Sequence, residues 1–182
     1  RKYEWGIERA QDLVRDGVRT FDRVIEEGLP RDPIHWIGII LTQEIKDRDL
    51  KCEVGRVDYE HDCIDVIDGQ QRLTTIYLLL LALRHFAYDT NQKIEEKKFL
   101  NPEIYLQTPN DEHLKKINLL QESYEEYRKD PSDEKREILQ AHEKEIWRSG
   151  MKGDGESIYR VYSFFRWLLW LGKEAMESSE EF

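Results

Sequence analysis

The sequence has little cysteine, no long apolar run and no concentration of positive charge. Its two cysteines, Cys52 and Cys63, fall outside the C-x-x-C spacing of zinc and redox sites, and so few thiols suggest a reducing compartment. The longest uncharged apolar run, "LTTIYLLLLAL", is far short of the roughly 20 residues that cross a bilayer. With no signal peptide to read, a cytoplasmic location and no membrane partner are expected. The formal net charge is -10, shared evenly: residues 1–91 carry 13 Lys+Arg against 18 Asp+Glu, the remainder 15 against 20. No basic tail or arm exists to release counterions from a nucleic acid, so any such contact needs a local patch. A G-x-x-x-x-G-K-[ST] loop is lacking, since "GMKGDGES" has the wrong spacing and reads as a helix-breaking turn. No two of the five histidines have metal spacing. His61 beside Asp62 and Cys63 reads as a solvated turn more readily than as a ligand set.

What is present suits a folded domain. Hydrophobic residues make up 39% and charged residues 36% of 182, enough for a core under a densely charged surface. Apolar residues recur at threes and fours from Ile7 to Gly28, which predicts an amphipathic helix ended by Gly28-Leu29-Pro30. "HWIGIILTQEI" (35–45) reads as a buried strand. "KCEVGRV" and "CIDVI" read as shorter strands, paired antiparallel across the acidic turn 58–62. A helix from about Gln70 to Tyr88, aliphatic all round between Ile76 and Leu83, should be central. "EIYLQTP" suggests one more short strand. Helices are expected at 111–129, from the cap Asp130 with Pro131 at N1 onwards to Trp147, and across "SIYRVYSFFRWLLWLG". The class is α+β, a small mixed sheet packed with helices and then a mainly helical part. The division falls into a core at 1–91 and a helical part at 92–182 that reads as incomplete. "RKYEW" reads as cut from a longer segment, so a piece of a larger protein is expected.

The stretch "VIDGQQRL" sets Asp68, Gln70, Gln71 and Arg72 between a buried strand and a buried helix. Asp68 can cap the first turn or hold Mg²⁺, and Gly69 permits a backbone closed to other residues. Arg72 offers a planar fork to a phosphate at a helix N-terminus, and Gln70 or Gln71 can orient a water. Capping and surface pairing account for the same residues about as well. Four polar groups in five residues favour a site. The aromatic stripe Tyr159, Tyr162, Phe165, Trp167 and Trp170 can stack bases, although at helical spacing core or interface is the commoner use.

"VIDGQQRLTTIYLLLLAL" resembles the signature of the GmrSD family of modification-dependent restriction proteins, in their N-terminal DGQQR domain. "RKYEW" resembles the end of that family's opening motif, with Arg1, Tyr3 and Trp5 matching its last fixed letters. "HWIGIILTQ" is similar to its glycine-containing strand, and "IYRVYSFFRWL" to a later helix. The resemblance implies a ParB/sulfiredoxin-like fold, a nucleoside-triphosphatase tied to DGQQR, and defence against phage DNA with modified bases or backbones. Its implied catalytic set is Asp68, Gln70, Gln71 and Arg72, with Mg²⁺ on Asp68. Arg1, Tyr3, Gly69 and Thr74 are expected to line a pocket for ATP, GTP, CTP or UTP. Modified DNA and a nuclease domain or subunit are the implied partners; a second copy of the chain, joined through the aromatic C-terminal helix of a purely structural domain, is a further expectation read from that helix. The family's Tyr-Gln before Arg1, its Phe-x-x-x-Asn-x-x-Gly segment and any His-Asn-His nuclease are missing, so DNA cleavage is expected to reside elsewhere. A non-catalytic module that senses modified DNA is the alternative reading.

Overall fold

The computed structural model describes residues 3–27, 39–44, 53–54, 57–58, 64–90, 112–152 and 156–180. In chain order these form α1 (Ile7–Glu27), β1 (Leu41–Glu44), β2 (Glu53–Val54), β3 (Val57–Asp58), β4 (Ile64–Asp68), α2 (Gln70–Asp89), α3 (Glu112–Lys129), α4 (Asp133–Met151) and α5 (Ser157–Glu180). The class is α+β, with the helices dominant. The strand expected at "EIYLQTP", the turn 58–62 beyond Asp58, both cysteines, His61 and Arg1 lie outside the described residues.

The core forms where the helices converge. Leu78 and Leu81 of α2, Ile117 and Leu120 of α3, Ile146 of α4, and Ile158, Val161 and Phe165 of α5 are fully buried together with Ala10 of α1. Each large aliphatic or aromatic side chain removed from water in this way contributes about 1.5–3 kcal/mol. The same core takes side chains from both sides of residue 91, so α2 is packed as a central helix, as its all-round aliphatic stretch predicts. α1 commits only part of its length. Ala10 is buried and Val14 packs on the core, whereas Val18 is exposed.

The sheet departs from the expected pairing. β4 pairs antiparallel with β1, not with the strand before it, and β2 pairs with β3 in a separate two-stranded ribbon. The long strand expected over 35–45 is four residues long where it is described, and it is not buried: Leu41 at its start is 52% exposed, and Ile39 just before it 60%. β-branched residues fit a pleated surface whether or not that surface is covered, so their enrichment signalled a strand without deciding its burial. A register shift between Leu41 and Thr42 pairs Leu41 with Asp68 and Thr42 with Val66, which leaves Ile67 as the extra residue of a bulge.

Two local features also differ. α4 is capped by Ser132, whose hydroxyl accepts from the Lys135 amide at 3.3 Å, and Pro131 precedes the cap. The side chain of serine reaches the free amides of the first turn, so the helix begins two residues later than Asp130 would have it. Gly150, expected in a helix-breaking turn, lies inside α4. A Cβ there would come within 2.6 Å of the Tyr159 carbonyl oxygen, so this glycine lets α4 approach α5 closely.

Candidate functional site at the start of α2

β4 runs into α2 through one residue. Gly69 takes φ 89° and ψ 5°, a left-handed conformation that glycine adopts without steric cost. The space also excludes a side chain, because a Cβ would sit 3.1 Å from Ile40 Cγ1 and 3.4 Å from the Ile39 carbonyl. Strand and helix therefore meet at a sharp corner beneath the segment leading into β1.

Gly69 is itself the N-cap, with no side-chain cap bond, so Asp68 does not cap α2 as the sequence suggested. The reason is the register. Asp68 is still a strand residue paired with Leu41, and it is exposed. It makes no hydrogen bond or ion pair with another described residue. The start of α2 keeps the partial positive charge of its aligned peptide dipoles, unscreened by a capping carboxylate.

The other motif side chains are tied to backbone. Gln70 Nε2 donates to the Val66 carbonyl of β4 at 2.6 Å. Gln71 Oε1 accepts from the amides of Glu4 at 2.9 Å and Trp5 at 3.3 Å, which clasps the opening segment to α2. Arg72 Nη1 donates to the Ile39 carbonyl at 2.6 Å, bridging helix and β1 segment. Thr74 Oγ1 turns back to the Gln70 carbonyl at 2.9 Å and Thr75 Oγ1 to the Gln71 carbonyl at 2.8 Å. Each DGQQR side chain that follows the glycine thus joins a different piece of chain to one helix turn.

Tyr3 completes the corner. Its hydroxyl lies 2.8 Å from Thr75 Oγ1, and because Thr75 spends its single proton on Gln71, Tyr3 is the donor of this pair. Burial pushes the Tyr3 phenol up to about 12, so it stays protonated. Of the residues expected at the pocket, Tyr3, Asp68, Gly69, Gln70, Gln71 and Arg72 meet at this junction. Thr74 lies on the same turn with its hydroxyl directed to its own helix. Metal-holding groups of three or more His, Cys, Asp or Glu do not occur among the described residues.

A second polar assembly lies at the other end of α2. His85 is fully buried, its Nε2 facing Gln121 Oε1 at 2.7 Å and its Nδ1 facing the Tyr162 hydroxyl at 2.6 Å. An amide oxygen can only accept, so Nε2 carries the proton and Nδ1 accepts from Tyr162. Burial lowers the His85 pKa well below its ordinary value, and the charges of Arg166 and Arg84 lower it further. Asp89 and Glu143 hold Arg166 on one side of this cluster, while Glu125 holds Arg84 on the other. The sequence signal was present: Arg84, His85 and Asp89 interrupt an otherwise apolar helix, and Arg166 interrupts α5.

The family model described as "GmrSD restriction endonuclease, N-terminal domain" matches residues 1–180. No curated protein and no solved structure matches the chain. The matched span takes in both the opening segment and the DGQQR corner that it is clasped to, and covers nearly the whole sequence. The chain belongs to the GmrSD restriction endonuclease N-terminal domain family.

Proposed function

We propose that the corner between β4 and α2 binds the phosphates of a nucleoside triphosphate with Mg²⁺, and that the chain hydrolyses it to control cleavage of modified DNA by a nuclease domain or subunit of the restriction system. The observation that carries this reading is the start of α2, which has no side-chain cap, preceded by the exposed Asp68, which has no side-chain partner among the described residues, and followed by Arg72 on the first turn. Helix N-termini attract phosphate, and a guanidinium fork adds a directed positive charge. Mg²⁺ commonly takes one or two carboxylates together with substrate phosphates, and Asp68 supplies one such carboxylate. Bound there, the ion would neutralise charge on the phosphates and order water beside them.

The chain's own residues then divide the work. Arg72, anchored through Nη1 to the Ile39 carbonyl, presents the rest of its fork at the corner. Gln70 and Gln71 keep β4 and the opening segment in place, and one of them orients the attacking water. Tyr3, with Arg1 two residues before it, closes the pocket from the opening segment.

Thermal unfolding with ATP, GTP, CTP or UTP plus Mg²⁺, followed by release of inorganic phosphate, tests the proposal. A ligand at ~100 times its dissociation constant stabilises the fold by about 2.7 kcal/mol. One nucleotide should raise the melting temperature of the chain and fail to do so in Asp68→Asn. Absence of a shift with all four would overturn the binding claim; a shift without phosphate release would overturn the hydrolysis claim.

A second reading has its own support. Gln70, Gln71 and Arg72 all bond to backbone, the arrangement of a rigid recognition corner without turnover. A melting shift with modified duplex DNA and none with nucleotides favours that module.

A further inference from the structure

The aromatic stripe of α5 divides in the fold. Tyr159, Tyr162 and Phe165 enter the core, while Trp167 and Trp170 turn towards α4. There they meet Trp147 across a cavity of about 520 Å³, lined also by Gln140, Glu143, Lys144, Tyr162 and Arg166. Such a volume lies within the range of small-molecule sites. Three indoles around one opening are not explained by the core, since Trp147 is 40% and Trp167 50% exposed.

The walls are held in place. Trp170 packs against Phe86 in a T-shaped pair with centroids 5.3 Å apart, and Lys173 Nζ lies over its ring, 5.0 Å from the centre. Trp167 leans on Phe164. Arg166 is 8% exposed and bound through Nη2 to Asp89, while its Nη1 is buried with no hydrogen-bond partner among the described residues. The Glu143 carboxylate accepts from Tyr124 and stands beside Arg166, and burial raises its pKa. Gln140 and Lys144, one helical turn apart on α4, add an amide and an ammonium.

We propose that this cavity binds a nucleobase, stacked on the indoles of Trp147 and Trp167. Indole faces suit a flat π-system, and stacking of a base on an aromatic side chain tolerates any base. The polar lining narrows the class to heterocycles. Lys144, Arg166 and the Gln140 amide donate, and Glu143 and the Gln140 carbonyl accept, which matches a ring edge bearing both acceptors and donors. A hydrocarbon ring offers no acceptor to the buried Arg166 Nη1. The site is separate from the DGQQR corner, because the 20 residues of α2 from Gln70 to Asp89 span about 30 Å.

Quenching of tryptophan fluorescence tests the assignment. The four deoxynucleosides, which lack the phosphates that the other site takes, form one arm; a single-stranded oligodeoxynucleotide of about ten residues forms the other. Saturable quenching is expected, weakened about tenfold or more in Trp167→Ala, with Lys144→Glu as a second variant that leaves the walls intact. Quenching by nucleosides assigns the cavity to a free base or nucleoside. Quenching by the oligonucleotide alone assigns it to a base within a strand. No saturable quenching in either arm, or quenching unaltered in both variants, overturns the proposal. Neither result bears on the nucleotide-dependent melting shift, which Asp68→Asn reports separately.

Discussion

Tyr3 donates its phenolic proton to Thr75 across 72 positions of sequence, and this bond at 2.8 Å ties the opening segment to the second turn of α2. Removing either partner has a different cost. Tyr3→Phe leaves Thr75 still donating to the Gln71 carbonyl, so only one bond is lost and unfolding in denaturant should show a loss of about 1 kcal/mol. Thr75→Val strands a buried phenol without an acceptor and should cost more, about 1–3 kcal/mol. Equal losses in the two variants would show that the hydroxyl pair is not what holds the segment.

Glycines at two positions should respond with opposite sign. Gly69→Ala forces a side chain into a left-handed residue and against Ile40, and should destabilise by about 1–3 kcal/mol. Gly17 lies within α1 with nothing near its absent side chain, so Gly17→Ala should stabilise by up to about 1 kcal/mol. Denaturant midpoints of both variants decide the matter.

At the corner, charge and scaffold should separate. Asp68→Asn touches no described partner and should change stability by no more than about 0.5 kcal/mol while abolishing the Mg²⁺-dependent nucleotide shift. Gln71→Ala releases the amides of Glu4 and Trp5 and should lower stability by about 1 kcal/mol along with phosphate release. Full hydrolysis in Gln71→Ala would remove that residue from the nucleophile's positioning.

His85 should impose a pH dependence. The folded protein keeps its imidazole neutral, whereas the unfolded chain binds a proton below about pH 6.5. The unfolded state then holds more protons, so His85's contribution is complete above pH 6.5 and is lost as pH falls below it, by up to about 1.4 kcal/mol per pH unit. Glu143 acts in the opposite sense: its raised pKa keeps a proton on the folded state that the unfolded chain gives up, so its contribution declines as pH rises past 4.5. Stability measured from pH 7.5 to 5 in the parent and in His85→Gln isolates the first effect. Parallel curves would mean that His85 titrates in the fold as it does in the unfolded chain.

The helices were legible residue by residue. Apolar patterning located α1, α2 and α3 to within about a residue at both ends and α5 at its start, because helix periodicity is a local property that the chain displays in order, whereas α5 runs on to Glu180, past the Gly172 at which the apolar stretch ends. The strand-to-helix change at Asp68-Gly69 was equally visible, since glycine marks a backbone that other residues avoid. "DGQQR" with its aliphatic helix also pointed to the family that the whole-chain match shows.

What the linear order did not decide was who meets whom. β4 chose β1 over its neighbour, Gln71 reached back 66 positions to Trp5, and Gly69 rather than Asp68 became the N-cap of α2. The five aromatics of α5 look alike in sequence, yet Tyr159, Tyr162 and Phe165 are buried in the core while Trp167 is half exposed and lines a cavity with Trp170. Propensity and period act within one element, so the helices and the Asp68-Gly69 corner could be read along the chain; their partners depend on the packing of several elements at once and followed from the fold.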